Sequence, residues 1–207
     1  MRSAAQYLPE RRSLKSLREA AAHCRGCDLY KSATQTVFGE GRAQAKIMFI
    51  GEQPGDSEDR EGHPFVGPAG KLLQRAMSEA GIDPDDVYVT NAVKHFKYIV
   101  RGKRRIHQTP RVIELQACRP WLDAEIKQIR PDVIVALGAT AAHALFGSDF
   151  RVTMHRGETI LSSSWAPNVI ATVHPSSILR ARDDQTRHRE MARFVEDLKR
   201  VAALSHE

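Results

Sequence analysis

A chain of 207 residues with 42% hydrophobic composition is long enough to bury a sizeable core and suits one domain, residues 1–207, with no need for a second. Thirty-one Lys and Arg against twenty-five Asp and Glu leave a net charge of +6 and a pI near 9.4, which points to a polyanionic partner. No apolar run approaches the roughly 20 residues of a membrane span, the N-terminus lacks a signal-peptide core, and three cysteines argue against a disulfide framework; a cytoplasmic protein with no membrane partner is expected.

Residues 1–12 are polar and expected to form a flexible tail, after which Ser13 reads as the N-cap of a helix carrying Leu14, Leu17, Ala20 and Ala21. That helix ends near Cys24-Arg-Gly-Cys27, two thiols whose spacing lets both reach one metal centre, with simple burial as the alternative. Ile47-Met-Phe-Ile then forms a buried strand closed by the sharp Gly51/Pro54/Gly55 turn, which sets Glu52, Gln53 and Asp56 beyond a strand end, where ligands of α/β sheets bind. A helix from Pro68 to Gly81 follows, with Leu72, Leu73, Ala76 and Met77 facing the sheet, and a second strand, Val87-Tyr-Val-Thr, delivers Asn91.

The segment from Lys94 to Pro110 lacks periodicity. It carries Lys94, Lys97, Arg101, Lys103, Arg104 and Arg105 with Phe96 and Tyr98 interleaved, and reads either as a solvated basic loop or as a surface whose cations meet phosphates while its rings stack on bases. Pro110 starts a long helix with Val112, Leu115, Cys118, Leu122 and Ile126 on one stripe, closed by Pro131. A third strand, Asp132-Val-Ile-Val-Ala-Leu, ends at Gly138, and a short helix runs to Gly147. A connection through Glu158-Thr-Ile-Leu leads to the fourth strand, Asn168–Val173, which delivers His174-Pro-Ser-Ser. A charged helix from about Asp183 to Leu204 closes the chain.

Strands alternating with helices predict a three-layer α/β/α fold around a mostly parallel four-stranded sheet. Glu52, Asn91, Gly138 and His174 each follow a strand, so all four should line one edge. No heptad or extended apolar patch demands assembly, and a monomer is expected.

Gly51-Glu-Gln-Pro-Gly55, Pro64-Phe-Val-Gly67, Thr90-Asn91 and His174-Pro-Ser-Ser, recurring in order, resemble the iron–sulfur uracil-DNA glycosylases of bacteria and archaea, close to family 4. Lys103-Arg-Arg-Ile-His107 and the Gln after Glu52 look like the UdgX branch, whose members become covalently attached to DNA; ordinary family-4 enzymes lack this loop.

The resemblance implies a DNA-repair enzyme that excises uracil from DNA, preferably single-stranded, with the base held in a pocket. Phe65 would stack on uracil and Asn91 would read it, since one amide can accept from N3 and donate to O4. His174 would donate to uracil O2 as negative charge develops there, helped by backbone amides around Gln53 and Gly55, with Gly51, Gln53 and Asp56 also lining the pocket. His107 would attack C1′ in place of water, kept uncharged by Arg104 and Arg105, while Glu52 accepts its proton and stabilises the sugar cation. Lys103, Arg104, Arg105 and Ser176 would contact DNA. A multiple-turnover enzyme in which His107 only positions DNA, and a non-enzymatic single-strand binder, are the competing readings.

The family also implies a [4Fe-4S] cluster held by four cysteines. Cys24, Cys27 and Cys118 match, and His95 stands where the fourth cysteine is expected. A Cys3His cluster is chemically reasonable by analogy with Rieske centres, with zinc as the alternative by ligand type.

Overall fold

The computed structural model describes residues 3–161 and 164–205. The order of elements is α1 (Leu14–Ala21), β1 (Glu40–Gly41), β2 (Ile47–Gly51), α2 (Asp56–Glu61), α3 (Pro68–Glu79), β3 (Val87–Asn91), β4 (Tyr98–Arg101), β5 (Arg104–His107), α4 (Val112–Ile129), β6 (Val133–Leu137), α5 (Ala139–Phe146), α6 (Val152–His155), β7 (Thr159–Leu161), β8 (Asn168–Thr172), α7 (Pro175–Leu179) and α8 (Asp184–Leu204).

The four expected strands are β2, β3, β6 and β8, parallel and in the order β3-β2-β6-β8. The sheet is nevertheless six-stranded and mixed, not four-stranded. β1 pairs antiparallel with β3 at one edge, and β7 antiparallel with β8 at the other. At two and three residues these strands are too short to carry an alternation signal, and they cover edges that would otherwise stand open.

Helices on both faces explain why β2 and β6 are buried at every position and read as unbroken apolar runs. Met48, Ile50, Ile134 and Ala136 pack toward α4 and α5, while Ile47, Phe49, Val133 and Val135 pack toward α3, α7 and α8. The predicted single stripe on α4 is two faces. Leu122 and Ile126 meet the sheet, Cys118 and Trp121 turn into a separate cluster with Leu17 and Ala21, and Val112 is 63% exposed.

That cluster corrects the expectation of a flexible tail over residues 1–12, of which 1 and 2 lie outside the described residues. Ser3 caps a 3-10 turn at Ala4–Tyr7, and Ala4 is completely buried. Gly26 makes room for it, since a Cβ there would lie 2.6 Å from the Ala4 nitrogen.

The basic segment is a β-hairpin rather than a loop. β4 and β5 pair antiparallel with Tyr98 opposite His107 and Ile99 opposite Ile106, around a turn at Gly102 (φ +60°).

Beneath the β3 end lies a fully buried ion pair. The Lys94 ammonium donates to Glu125 Oε2, to Thr90 Oγ1 at 2.6 Å and to the Asn91 carbonyl at 2.7 Å. Glu125 Oε1 accepts from Tyr88, Thr90 and the Gly39 N–H. Removing one charge strands the other out of water. Glu125→Gln should therefore destabilise the protein by about 3–5 kcal/mol, read as a lower urea midpoint, and adding Lys94→Met should recover much of the loss.

Candidate active site

Chain order runs from β2 to β3 on one side of the sheet and from β6 to β8 on the other, so the direction of winding reverses between β2 and β6. In doubly wound sheets ligands bind beyond the strand ends at that reversal. Glu52 leaves β2 there and Gly138 leaves β6. Backbone bonds stitch the edge together: Ala92 N–H to Gly51 O at 2.9 Å, Val93 N–H to Glu52 O at 3.0 Å, and Gly138 N–H to Thr172 O at 2.8 Å.

Asn91 and Phe65 meet across Gly51. A Cβ on Gly51 would lie 2.3 Å from Asn91 Oδ1 and 2.8 Å from the Phe65 ring, so only glycine leaves both side chains in place. Asn91 is 4% exposed, and no side chain among the described residues hydrogen-bonds its amide. Phe65 has left-handed backbone (φ 57°), a strained state for a residue with a Cβ and one that concentrates at functional sites. Gly70 lets α3 pack on it, since a Cβ there would overlap the Phe65 carbonyl.

The hairpin carries His107 over this edge. Its Nε2 lies 3.2 Å from Glu52 Oε1, and the ring is about half exposed. Glu52 Oε2 accepts from the Thr140 hydroxyl, whereas Oε1 is buried with the His107 ring as its polar neighbour. Burial raises the Glu52 carboxyl, but contacts with His107 and Thr140 and the nearby His174 outweigh it and hold the net shift below the usual range. The group is a carboxylate at neutral pH.

His174 caps α7. The Ser176 N–H donates to Nδ1 at 3.2 Å, so Nδ1 carries the lone pair and Nε2 carries the hydrogen. Burial pushes its pKa down to about 4 against the opposing Glu52 charge. The ring is thus a neutral donor through Nε2. Ser176, expected on DNA, has its hydroxyl 2.7 Å from the same Nδ1.

Other expected residues have different tasks. Gln53 faces the hairpin, not a pocket: its Nε2 donates to the Lys97 and Gln108 carbonyls, and its Oε1 accepts from the Lys97 N–H at 3.0 Å. The Gly55 and Gly67 amides both donate to Glu58, so the Gly55 amide is already engaged. Arg105 does not face solvent. Its guanidinium, 13% exposed, bonds Asp56, Asp59 and Thr34 and lies 5.0 Å from the Tyr98 ring centre, so Asp56 anchors the hairpin.

Lys94 and Lys97 likewise turn inward, to Glu125 and Glu114, and Phe96 is buried at 1% exposure. Lys103 and Arg104 are exposed at the hairpin tip with Arg101. Half of the basic run is therefore structural and half is outward charge.

Cys24, Cys27 and Cys118 gather around Trp121 in the cluster under α1. The Trp121 indole and the Gly26 N–H donate to Cys24 sulfur at 3.2 and 3.4 Å, and the Lys94 N–H to Cys118 sulfur at 3.3 Å. Burial pushes the Cys118 thiol up to about 12 and raises Cys27, so thiolates here need a compensating cation. His95 is 4% exposed, and its Nε2 lies 2.9 Å from Thr36 Oγ1. That hydroxyl donates its one hydrogen to the Ala21 carbonyl, so it accepts from Nε2–H and leaves the His95 lone pair on Nδ1. Burial lowers this ring to about 4. No three His, Cys, Asp or Glu among the described residues are grouped to hold a single metal ion.

This is a doubly wound α/β protein with two histidines, a carboxylate and an unengaged amide at the sheet's reversal point. Residues 38–199 match the model of the uracil-DNA glycosylase superfamily, and the chain belongs to that family. It is 41% identical over 172 residues to the type-4 uracil-DNA glycosylase of Thermotoga maritima, covering 82% of this chain and 84% of that protein. The type-4 enzyme of Archaeoglobus fulgidus is 38% identical over 173 residues, covering 81% and 83%. The type-5 enzyme of Pyrobaculum aerophilum is 29% identical over 156 residues, covering 67% and 64%.

Sequence reasoning missed Thr140, although its place two residues beyond the Gly138 strand end was a usable signal. It also missed the Lys94–Glu125 pair, whose members are 31 residues apart and carry no local pattern.

The depressed His174 pKa couples to stability. Unfolded chains take up the imidazole proton near pH 6.5 and the folded protein near 4, so stability present above pH 6.5 is lost as pH falls toward 4. His174→Asn should shrink that acid-induced loss by up to ~3 kcal/mol, read from urea midpoints at pH 7 and pH 4.5.

Proposed function

We propose that this protein excises uracil from DNA, preferably single-stranded, and remains joined through His107 to C1′ of the abasic sugar. The carrying observation is His107 Nε2 at 3.2 Å from a buried Glu52 oxygen, on the edge that holds Asn91 and His174. Type-4 relatives supply the substrate class, and the Lys103-Arg-Arg-Ile-His107 segment supplies the covalent branch.

In this reading Asn91 reads uracil and Phe65 packs against its ring. As the C1′–N1 bond breaks, the electron pair leaves on the base, where the neutral His174 Nε2–H donates to the developing charge at O2. Glu52 faces the cation-like sugar carbon and takes the Nε2 proton of His107. The freed pair on Nε2 then bonds C1′ where a conventional enzyme would admit water. Lys103, Arg104 and Arg101 meet phosphates from the hairpin tip. The roles expected of Arg105, Gln53 and Asp56 become positional: they hold the hairpin so that His107 stands over Glu52.

Cys24, Cys27, Cys118 and His95 would hold a [4Fe-4S] cluster, with His95 binding through Nδ1. The N–H···S bonds and the fixed His95 tautomer support that ligand set. When bound, the cluster supplies structural cross-linking of α1, α4 and the base of the hairpin.

Incubation with labelled uracil-containing single-stranded DNA should give a band that survives boiling in detergent and never exceeds one equivalent. His107→Ser should lose it; an adduct that persists would remove the assignment, and free abasic product in excess of enzyme would favour the conventional reaction. Purified protein should be brown, with broad absorption near ~400 nm and iron by elemental analysis. His95→Ala should reduce both, and a colourless protein with stoichiometric zinc would reverse the cluster reading.

A further inference from the structure

We propose that Thr140 is a positioning residue for Glu52, its hydroxyl reaching across the reversal point of the sheet to set which carboxylate oxygen faces His107 and the reacting sugar. The inference deepens the reading above and rests on Glu52 acting at C1′.

Thr140 stands in the first turn of α5, directly beyond the β6 end, and donates to Glu52 Oε2 beyond the neighbouring β2 end. Among the described residues no other hydrogen bond holds this carboxylate; Oε1 is buried without one. A carboxylate so held cannot exchange its two oxygens freely. With Oε2 fixed by Thr140, Oε1 is the oxygen left 3.2 Å from His107 Nε2.

The β-branched side chain adds stiffness, because threonine in a helix has few χ1 states. The same turn shapes the other side of the site. Gly138 has φ +87°, and a Cβ there would lie 3.0 Å from the His174 Cβ, so the turn packs against one candidate catalytic group and bonds the other.

The groups facing Glu52 are His107 on β5, His174 after β8 and Thr140 on α5. Two bear imidazoles and one a hydroxyl, and Arg180 adds its charge on the His174 side. Loss of the hydroxyl leaves burial, which raises the carboxyl pKa, less opposed. The acidic limb of the rate–pH profile should then move to higher pH.

The test compares Thr140→Val, which keeps shape but removes the donor, with Thr140→Ser, which keeps the donor. Uracil excision and adduct formation are timed separately under single-turnover conditions from pH 5 to pH 8, with a melting curve for each variant. Thr140→Val should slow excision at pH 7 roughly tenfold or more, as expected for loss of a hydrogen bond to a charged group, and shift the acidic limb upward. Thr140→Ser should restore rate and limb, with melting temperatures close to wild type.

Equal rates and limbs in all three proteins would overturn the proposal, as would a loss of rate in Thr140→Val with an unmoved limb. If Val disturbs packing, Thr140→Ala replaces it against the same serine control. A wild type that releases free abasic DNA without an adduct would sink the capture step alone, because the excision comparison still reads Glu52.

Discussion

The ion pair between Lys94 and Glu125 is the fixed point of this molecule. Neither group reaches water, and every ammonium hydrogen has an oxygen partner. Such pairs gain little net stability over well-packed apolar residues, because dehydrating two charges offsets their attraction. What this pair does supply is position. Lys94 touches the Asn91 carbonyl with its side chain and the Cys118 sulfur with its backbone N–H, while Glu125 belongs to α4 and reaches the Gly39 amide. One buried contact thus ties the β3 end, the three cysteines and the long helix to a common origin.

From that origin the site follows with few further requirements. Winding reverses between β2 and β6, and at their ends the chain sets Glu52 and the Gly138–Thr140 turn face to face. β3 and β8 add Asn91 and His174 from the flanks. The one candidate catalytic side chain that no strand of the main sheet delivers is His107, which arrives on an outlying hairpin. That hairpin is held by the segment that follows Glu52: Gln53 bonds its base, while Asp56 and Asp59 of α2 hold Arg105. The group proposed to attack is therefore positioned by the neighbours of the group proposed to take its proton.

The parallel core was legible in the sequence because strands covered on both faces must be apolar throughout, as Ile47–Ile50 and Val133–Leu137 are. Residues following such strands share an edge by topology, so Glu52, Asn91, Gly138 and His174 could be brought together without coordinates. β1 and β7 were illegible because two or three residues carry no period. The hairpin was hidden for another reason. Its cations look alike in sequence, yet Lys94, Lys97 and Arg105 point to carboxylates 17 to 49 residues distant, while Arg101, Lys103 and Arg104 point to solvent. Charge pattern identifies cations but not partners supplied by distant segments. The same limit explains why Ala4, in a polar stretch, was not seen to be buried.

Antiparallel strands present alternate side chains to opposite faces, so the register of β4 and β5 has a parity. Tyr98 and His107 share one face of the hairpin; Ile99 and Ile106 share the other. Adding a single residue between Gly102 and His107 would turn the imidazole outward and bring Ile106 over Glu52, and deleting one would bring Gln108 there instead. Length variation in this arm can retain the imidazole's facing only in steps of two, and relatives with an odd change there would be expected to have surrendered it.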